Sequence, residues 1–264
     1  MGVIVSEGFS SDKVAEFLNK TEKKLETYDD YSYRHLVKAD ALRIKNYFWE
    51  AIDEYLTAIK YDESNFEAFI GLGLAYKQIG YIKSAISSFN SAKKLNAFDR
   101  KIYFEIGCCY CIDQKFCCAI KAYKKALKVS PDFLEASFNL AVTYELNNQN
   151  AFAIKEYKKL IEKNPQRIKT YDNLGSLYMK LEINKSAIRI FNKALKIDPE
   201  YARAYLGIAI CSDKLKNTKK ALRFYKKYLR LKPNAENLPY ILDRISELSK
   251  KKGSAKNPHL MLVS

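Results

Sequence analysis

Glycine and proline are thin in this chain, with 9 and 6 copies in 264 residues. A turn-rich β architecture draws heavily on both, so their scarcity, set against abundant Lys, Leu, Ile, Ala and Tyr, predicts helix. Histidine is scarcer still, with two copies, His35 and His259. A histidine-based triad or a multi-histidine metal centre would have to bring those remote positions together. Acidic residues are scattered along the predicted helices, with no pair set apart as general acid and base. The segment GLGLAY, residues 71–76, has Tyr76 where a dinucleotide loop needs its third glycine, and no strand precedes it. The chain is therefore expected to be no enzyme and to need no cofactor or resident metal.

Long apolar runs are also missing. The opening MGVIVSEGFSSDK has a three-residue apolar run, too short for a signal peptide, and no stretch reaches the length of a membrane span. A soluble, cytoplasmic protein with reduced thiols is the expectation. Met1, Gly2 and Ser6 fit the loose N-myristoylation pattern but no basic cluster follows closely, so an ordinary disordered terminus is favoured.

What is present begins with size and charge. A chain with 48% hydrophobic residues can bury a sizeable core, and a net charge of +16 makes contact with acidic partners, RNA or anionic membranes physically easy. The decisive feature is self-similarity at 34 residues: blocks starting at 32, 66, 100, 134, 168 and 202 fall into one register without a gap. Their eighth positions hold Ala39, Gly73, Gly107, Ala141, Gly175 and Ala209, all small. Their twentieth positions are Ala51, Ala85, Ala119, Ala153, Ala187 and Ala221, and their twenty-fourth are the aromatics Tyr55, Phe89, Tyr123, Tyr157, Phe191 and Tyr225. Small residues mark where two helices approach closely, and large rings can fill the space beside them. Apolar residues recur at helical spacing between these marks, and Pro131, Pro165, Pro199 and Pro233 stop one block's second helix from running into the next. Each block is predicted to be helix, turn, helix.

This pattern resembles the tetratricopeptide repeat family. Block five carries Tyr171, Leu174, Gly175, Tyr178, Ala187, Phe191, Ala194 and Pro199 at the family's marked positions. The resemblance implies an all-α solenoid of six repeats over 32–65, 66–99, 100–133, 134–167, 168–201 and 202–235. The departures sit at the ends: His35 and Lys38 in block one, Glu63 and Ala97 in place of proline, Ser212 and Tyr228 in block six. Terminal repeats lack a neighbour on one face and are expected to be atypical. Residues 1–10 are read as a flexible terminus, 11–31 as an N-terminal capping helix with the stripe Val14, Phe17, Leu18 and Leu25, 236–250 as a C-terminal capping helix, and 251–264 as a mobile tail.

The resemblance further implies that first helices line a concave surface, with positions two, five, six, nine and twelve facing it. That places Ile70, Leu74, Phe104, Cys108, Phe138 and Val142 in a continuous apolar strip. Beyond it the lining turns polar, with Asn139, Lys169, Asp172, Asn173, Ser176 and Arg203. Asn139 and Asn173 share the sixth position in successive blocks, and an asparagine can both donate to and accept from a peptide main chain. The function expected is a protein-binding adaptor or scaffold that holds an extended peptide or amphipathic helix of a partner. Some family members clamp a chaperone's C-terminal carboxylate, but the nearest match here keeps only Asn173 and Arg203 of the set, with Phe138, Val142 and Gly207 at the other positions. Self-burial of the strip, by the last residues HLMLVS or by a second copy, is the bland alternative.

Two further features stand out. Second helices carry cations at spacings of three and four, including Lys121, Lys125, Lys155, Lys159, Arg189, Lys193, Arg223, Lys227 and Arg230. These should form a basic outer face, a solvated surface in the first instance and a weak RNA or anionic-lipid contact in the second. An assembly factor using that face, or a chaperone-like protein of a secretion or assembly system, are the alternative functions. Finally, five of six cysteines crowd into GCCYCIDQKFCC, residues 107–118. In the repeat register Cys109 and Cys211 are small core residues, Cys108 and Cys111 face the groove, and Cys117 and Cys118 open a second helix. A zinc site would need groove-side and outer-side sulfurs to meet across a packed hairpin.

Overall fold

The computed structural model describes residues 30–254, and the predicted capping helix over 11–31 lies outside the described residues apart from its last two positions. Among them run thirteen helices: α1 (Tyr31–Ile44), α2 (Phe48–Tyr61), α3 (Phe66–Gln78), α4 (Ile82–Leu95), α5 (Arg100–Ile112), α6 (Phe116–Val129), α7 (Leu134–Leu146), α8 (Asn150–Lys163), α9 (Ile168–Lys180), α10 (Asn184–Ile197), α11 (Ala202–Lys214), α12 (Thr218–Leu231) and α13 (Leu238–Ser254). The chain is all-α, built of consecutive helix–turn–helix hairpins in the 34-residue register. It divides between Gln149 and Asn150 into two compact units, one carrying α1 to α7 and the other α8 to α13. No described helix is long and apolar enough to cross a membrane.

The register explains the packing. All six alanines at position twenty are fully buried, and the aromatics at position twenty-four lie beside them in the core. A side-chain carbon added at Gly107 would stand 2.6 Å from the Tyr123 ring, so the two helices of that hairpin meet ring against bare backbone.

Each first helix then ends in the same way. The fifteenth positions, Asn46, Gly80, Gln114, Asn148, Glu182 and Lys216, all have positive φ, from 56° to 82°. The amide of the following residue reaches back five positions: Tyr47 to Leu42, Lys115 to Tyr110, Ile183 to Tyr178, Asn217 to Ser212. This closure satisfies carbonyls that a helix end otherwise leaves open, and it requires a left-handed residue that only Gly80 supplies without strain. We expect Gln114→Gly, at an exposed turn, to raise stability by about 1 kcal/mol in urea melts.

The junctions between repeats repeat a different bond. Hydroxyls of Tyr103, Tyr171 and Tyr205 donate to the carbonyls of Ala97, Pro165 and Pro199 at 3.0, 2.9 and 2.8 Å. Proline is thus not needed for the junction's carbonyl to be held, and Ala97 serves as well. At the far end α13 continues to Ser254, four residues past the expected boundary at 250, into the stretch predicted as tail. Three consecutive lysines are good helix formers and carry the helix on.

Candidate functional site

In the first unit the predicted strip separates into two tiers. Ile70 and Leu74 on α3, Phe104 on α5 and Val142 on α7 are half-buried. Cys108, Phe138 and Asn139 lie beneath them at 4%, 1% and 6% exposure. The expectation of one exposed apolar strip therefore fails at Cys108 and Phe138; Cys108 is covered by the Tyr123 side chain of α6 and the Asn139 side chain of α7.

Asn139 is turned inward for a specific reason. Its amide donates to the Cys108 sulfur at 3.7 Å, while the Tyr123 hydroxyl donates to Cys108 and Cys111 at 3.4 and 3.6 Å. The Cys111 sulfur lies 3.1 Å from the Thr143 hydroxyl, which donates to the Asn139 carbonyl at 2.6 Å. A buried amide must find partners, and here it finds them within the protein. Burial, helped by the nearby Glu105 charge, pushes the Cys108 thiol up to about 12, and burial does the same to Cys109. Both are neutral thiols at physiological pH and poor nucleophiles. Cys111 is half-buried, and Cys117, the exposed thiol, accepts from the Asn147 amide at 3.8 Å. Among the described residues no three His, Cys, Asp or Glu side chains gather as a metal site.

One feature of this face was not foreseen. Lys77 on α3 and Glu105 on α5 form an ion pair at 2.5 Å, with side chains only 16% and 19% exposed. It joins position twelve of one repeat to position six of the next. Burial works against the Lys77 charge, but Glu105 outweighs it and holds the ammonium above its ordinary range.

In the second unit Lys169 and Arg203 are exposed, Asn173 and Ser176 half-buried, and Asp172 is 4% exposed. The Asn173 amide donates to the Tyr157 hydroxyl at 3.2 Å. Asp172 sits 3.3 Å from the Arg203 guanidinium and accepts from the Tyr201 hydroxyl, yet burial dominates and raises its pKa. A carboxyl with a raised folded-state pKa favours folding while protonated, and that contribution is lost as pH rises through the folded value. Asp172→Asn should therefore raise the urea midpoint at neutral pH, with the gain vanishing in acid. The exposed Arg203 partner is screened and gives little in return.

The register, the hairpins and the left-handed turns all repeat together, and family models match along the same stretches. A TPR repeat model covers residues 39–80, and tetratricopeptide repeat models cover 66–99, 118–168 and 184–238. The chain belongs to the tetratricopeptide repeat family. No curated protein sequence matches it. Among solved structures it is similar to the MamA protein, with 26% identity, a TM-score of 0.61 and coverage of 67% of this chain and 96% of that one. The C-terminal part of a TPR repeat-containing protein from Cytophaga hutchinsonii shares the fold at 17% identity, with a TM-score of 0.75 over 88% of this chain and 95% of that one. YrrB, described as a TPR protein with an unusual peptide-binding site, shares it at 17% identity and a TM-score of 0.57, covering 68% and 93%.

The tetratricopeptide fold supports protein–protein interaction in general. Its atypical end repeats have structural explanations. His35 and Lys38 both reach Glu54, at 2.6 Å each, so block one exchanges apolar packing for an ion cluster across the hairpin. At the other end Arg244 of α13 grips both carboxylate oxygens of Asp213, at 2.6 and 2.9 Å, which ties the last helix to the final tetratricopeptide repeat.

Proposed function

We propose that this tetratricopeptide repeat protein is a non-catalytic adaptor that holds a peptide or amphipathic helix of a partner protein against the first-helix face of repeats two to four. The observation that carries this is the tier of half-buried Ile70, Leu74, Phe104 and Val142 on three successive first helices. Half-open apolar side chains above a rigid core offer pockets for alternate residues of a bound segment. Exposed Glu67, Lys101 and Glu135 give the tier a polar rim of both signs. Because Asn139 is committed to the interior, main-chain recognition falls to the Lys77 and Glu105 pair, which can hydrogen-bond outward as well as to each other. In the second unit exposed Lys169 and Arg203 with half-buried Asn173 and Ser176 offer a polar contact surface of that unit's own, whereas Asp172, like Asn139, is committed to the interior.

The test follows from the tiers. Alanine at Phe138 or Asn139 would damage the core, so those changes cannot report on binding. Glutamate at half-buried Leu74 and Val142 can carry its carboxylate to solvent, although Leu74 also packs against the cluster of Phe89, Ile102 and Ile106. A peptide selected from a random library against the full chain should bind the Leu74→Glu, Val142→Glu double variant at least tenfold more weakly, about 1.4 kcal/mol. Circular dichroism should show a cooperative melt well above the assay temperature, with some loss from the Leu74 contact with the core. Equal affinity with intact helicity would reject this face.

A further inference from the structure

The second unit carries a second surface that the groove does not use. A cleft of about 470 Å³ opens between α10, α11 and α12, with Leu195, Tyr205 and Phe224 on its walls and Arg223, Lys226, Lys227 and Arg230 around it. The segments of α10 and α12, NKSAIRIFNKALKI and TKKALRFYKKYLRL, hold four and six cations and no acidic residue. The four cleft cations are all exposed, and among the described residues none takes part in an ion pair. Like charges three and four residues apart repel along a helix, so this arrangement opposes folding unless an anion relieves it.

We propose that this cleft binds an acidic segment of a partner protein, with carboxylates on Arg223, Lys226, Lys227 and Arg230 and one apolar side chain seated against Leu195 and Tyr205. Charge complementarity selects the acidic partner. The rings decide against nucleic acid, because base stacking needs a free aromatic face. Here the Lys227 ammonium lies 5.8 Å from the Tyr205 ring centre, and Arg223 and Lys220 cover Phe224 at 4.9 and 5.8 Å. Phe224 is itself buried, and the two rings lie against each other, tilted by 36° with centres 5.8 Å apart. An anionic membrane surface fits no better. A helix that lies on a bilayer inserts exposed apolar side chains, and α12 presents no exposed large hydrophobic residue. A concave, mixed lining of cations and aliphatic stems matches a peptide whose acidic residues flank an apolar one.

This site is separate from the first-unit face, and its test does not involve that face. The probe is a fluorescein-labelled twelve-residue peptide of Asp and Glu around a central Leu, titrated with the full chain and read by anisotropy. Three controls accompany it: the same peptide with Ser for Leu, a single-stranded RNA of similar charge, and phosphatidylserine vesicles. The acidic peptide should bind, Arg223→Glu with Lys227→Glu should weaken it at least tenfold, and the Ser peptide should bind at least threefold more weakly. Lys121→Glu with Lys125→Glu on α6 makes the same change in net charge in the first unit and should leave affinity within twofold. Melting temperatures of both double variants, measured alongside, show whether each remains folded. Equal losses from the two double variants, no preference for the Leu peptide, or tighter binding to RNA or vesicles than to the peptide would each overturn the proposal.

Discussion

Gly175→Ala is expected to destabilise the protein by about 1–3 kcal/mol, even though alanine is the better helix former by about 1 kcal/mol. Two opposing effects meet at this position, and geometry decides between them. The added carbon would stand 2.6 Å from the Phe191 ring. The ring has little room to retreat, because the Gly207 backbone lies against its other edge, so close that a carbon added there would stand 2.4 Å from the ring. Phe191 is 2% exposed, so it has no route to solvent either. Phe191→Ala should cost about 3–5 kcal/mol through the cavity it leaves. The sharper result is the double variant: Gly175→Ala with Phe191→Leu should be at least 1 kcal/mol more stable than the sum of the single changes in urea melts. Strict additivity, or stabilisation by Gly175→Ala alone, would show that ring and backbone are not in the contact the register implies.

Lys77→Met should cost about 3 kcal/mol, because it strands the Glu105 carboxylate beside the buried thiols of Cys108 and Cys109. Replacing both partners, Lys77→Met with Glu105→Leu, should restore most of that loss, since an apolar pair of similar volume avoids desolvating two charges. The pH dependence has a defined sign. The Lys77 pKa is raised in the folded state, so its contribution is complete below the ordinary value of 10.5 and is lost only as pH climbs through the folded value. A stability difference between the protein and Lys77→Met that stays constant through neutral pH and closes in strong alkali is the expected outcome. Urea melts across that range measure it.

The repeat, the hairpins and the alanine and aromatic positions were legible in the sequence because they are set by side-chain size at fixed spacing, and size is written in the residue type. Gly107, Ala119 and Tyr123 announce a close contact without any coordinates. The left-handed turn was less legible. At Gly80 and Asn46 the residue type hints at it, but Gln114, Glu182 and Lys216 adopt the same conformation because the helix-end hydrogen bonds impose it. The proposed binding face was half legible. Its position in the register pointed to Ile70, Leu74, Phe104 and Val142, while the burial of Cys108 and Asn139 depends on side chains that meet from three helices, Tyr123 and Asn139 both reaching Cys108, which a single repeat does not encode. The Lys77 and Glu105 pair spans 28 residues and joins two repeats. It could have been sought by comparing position twelve of each block with position six of the next, a pairing that opposite charge alone would have flagged.

Hydrogen–deuterium exchange of the full chain, free and saturated with a library-selected peptide, tests the central claim most directly. The amides of α3, α5 and α7 should gain protection on binding, with α4 and α6 unchanged. Protection confined to the second helices, or a peptide that binds tightly while leaving α3, α5 and α7 as they were, would contradict the account.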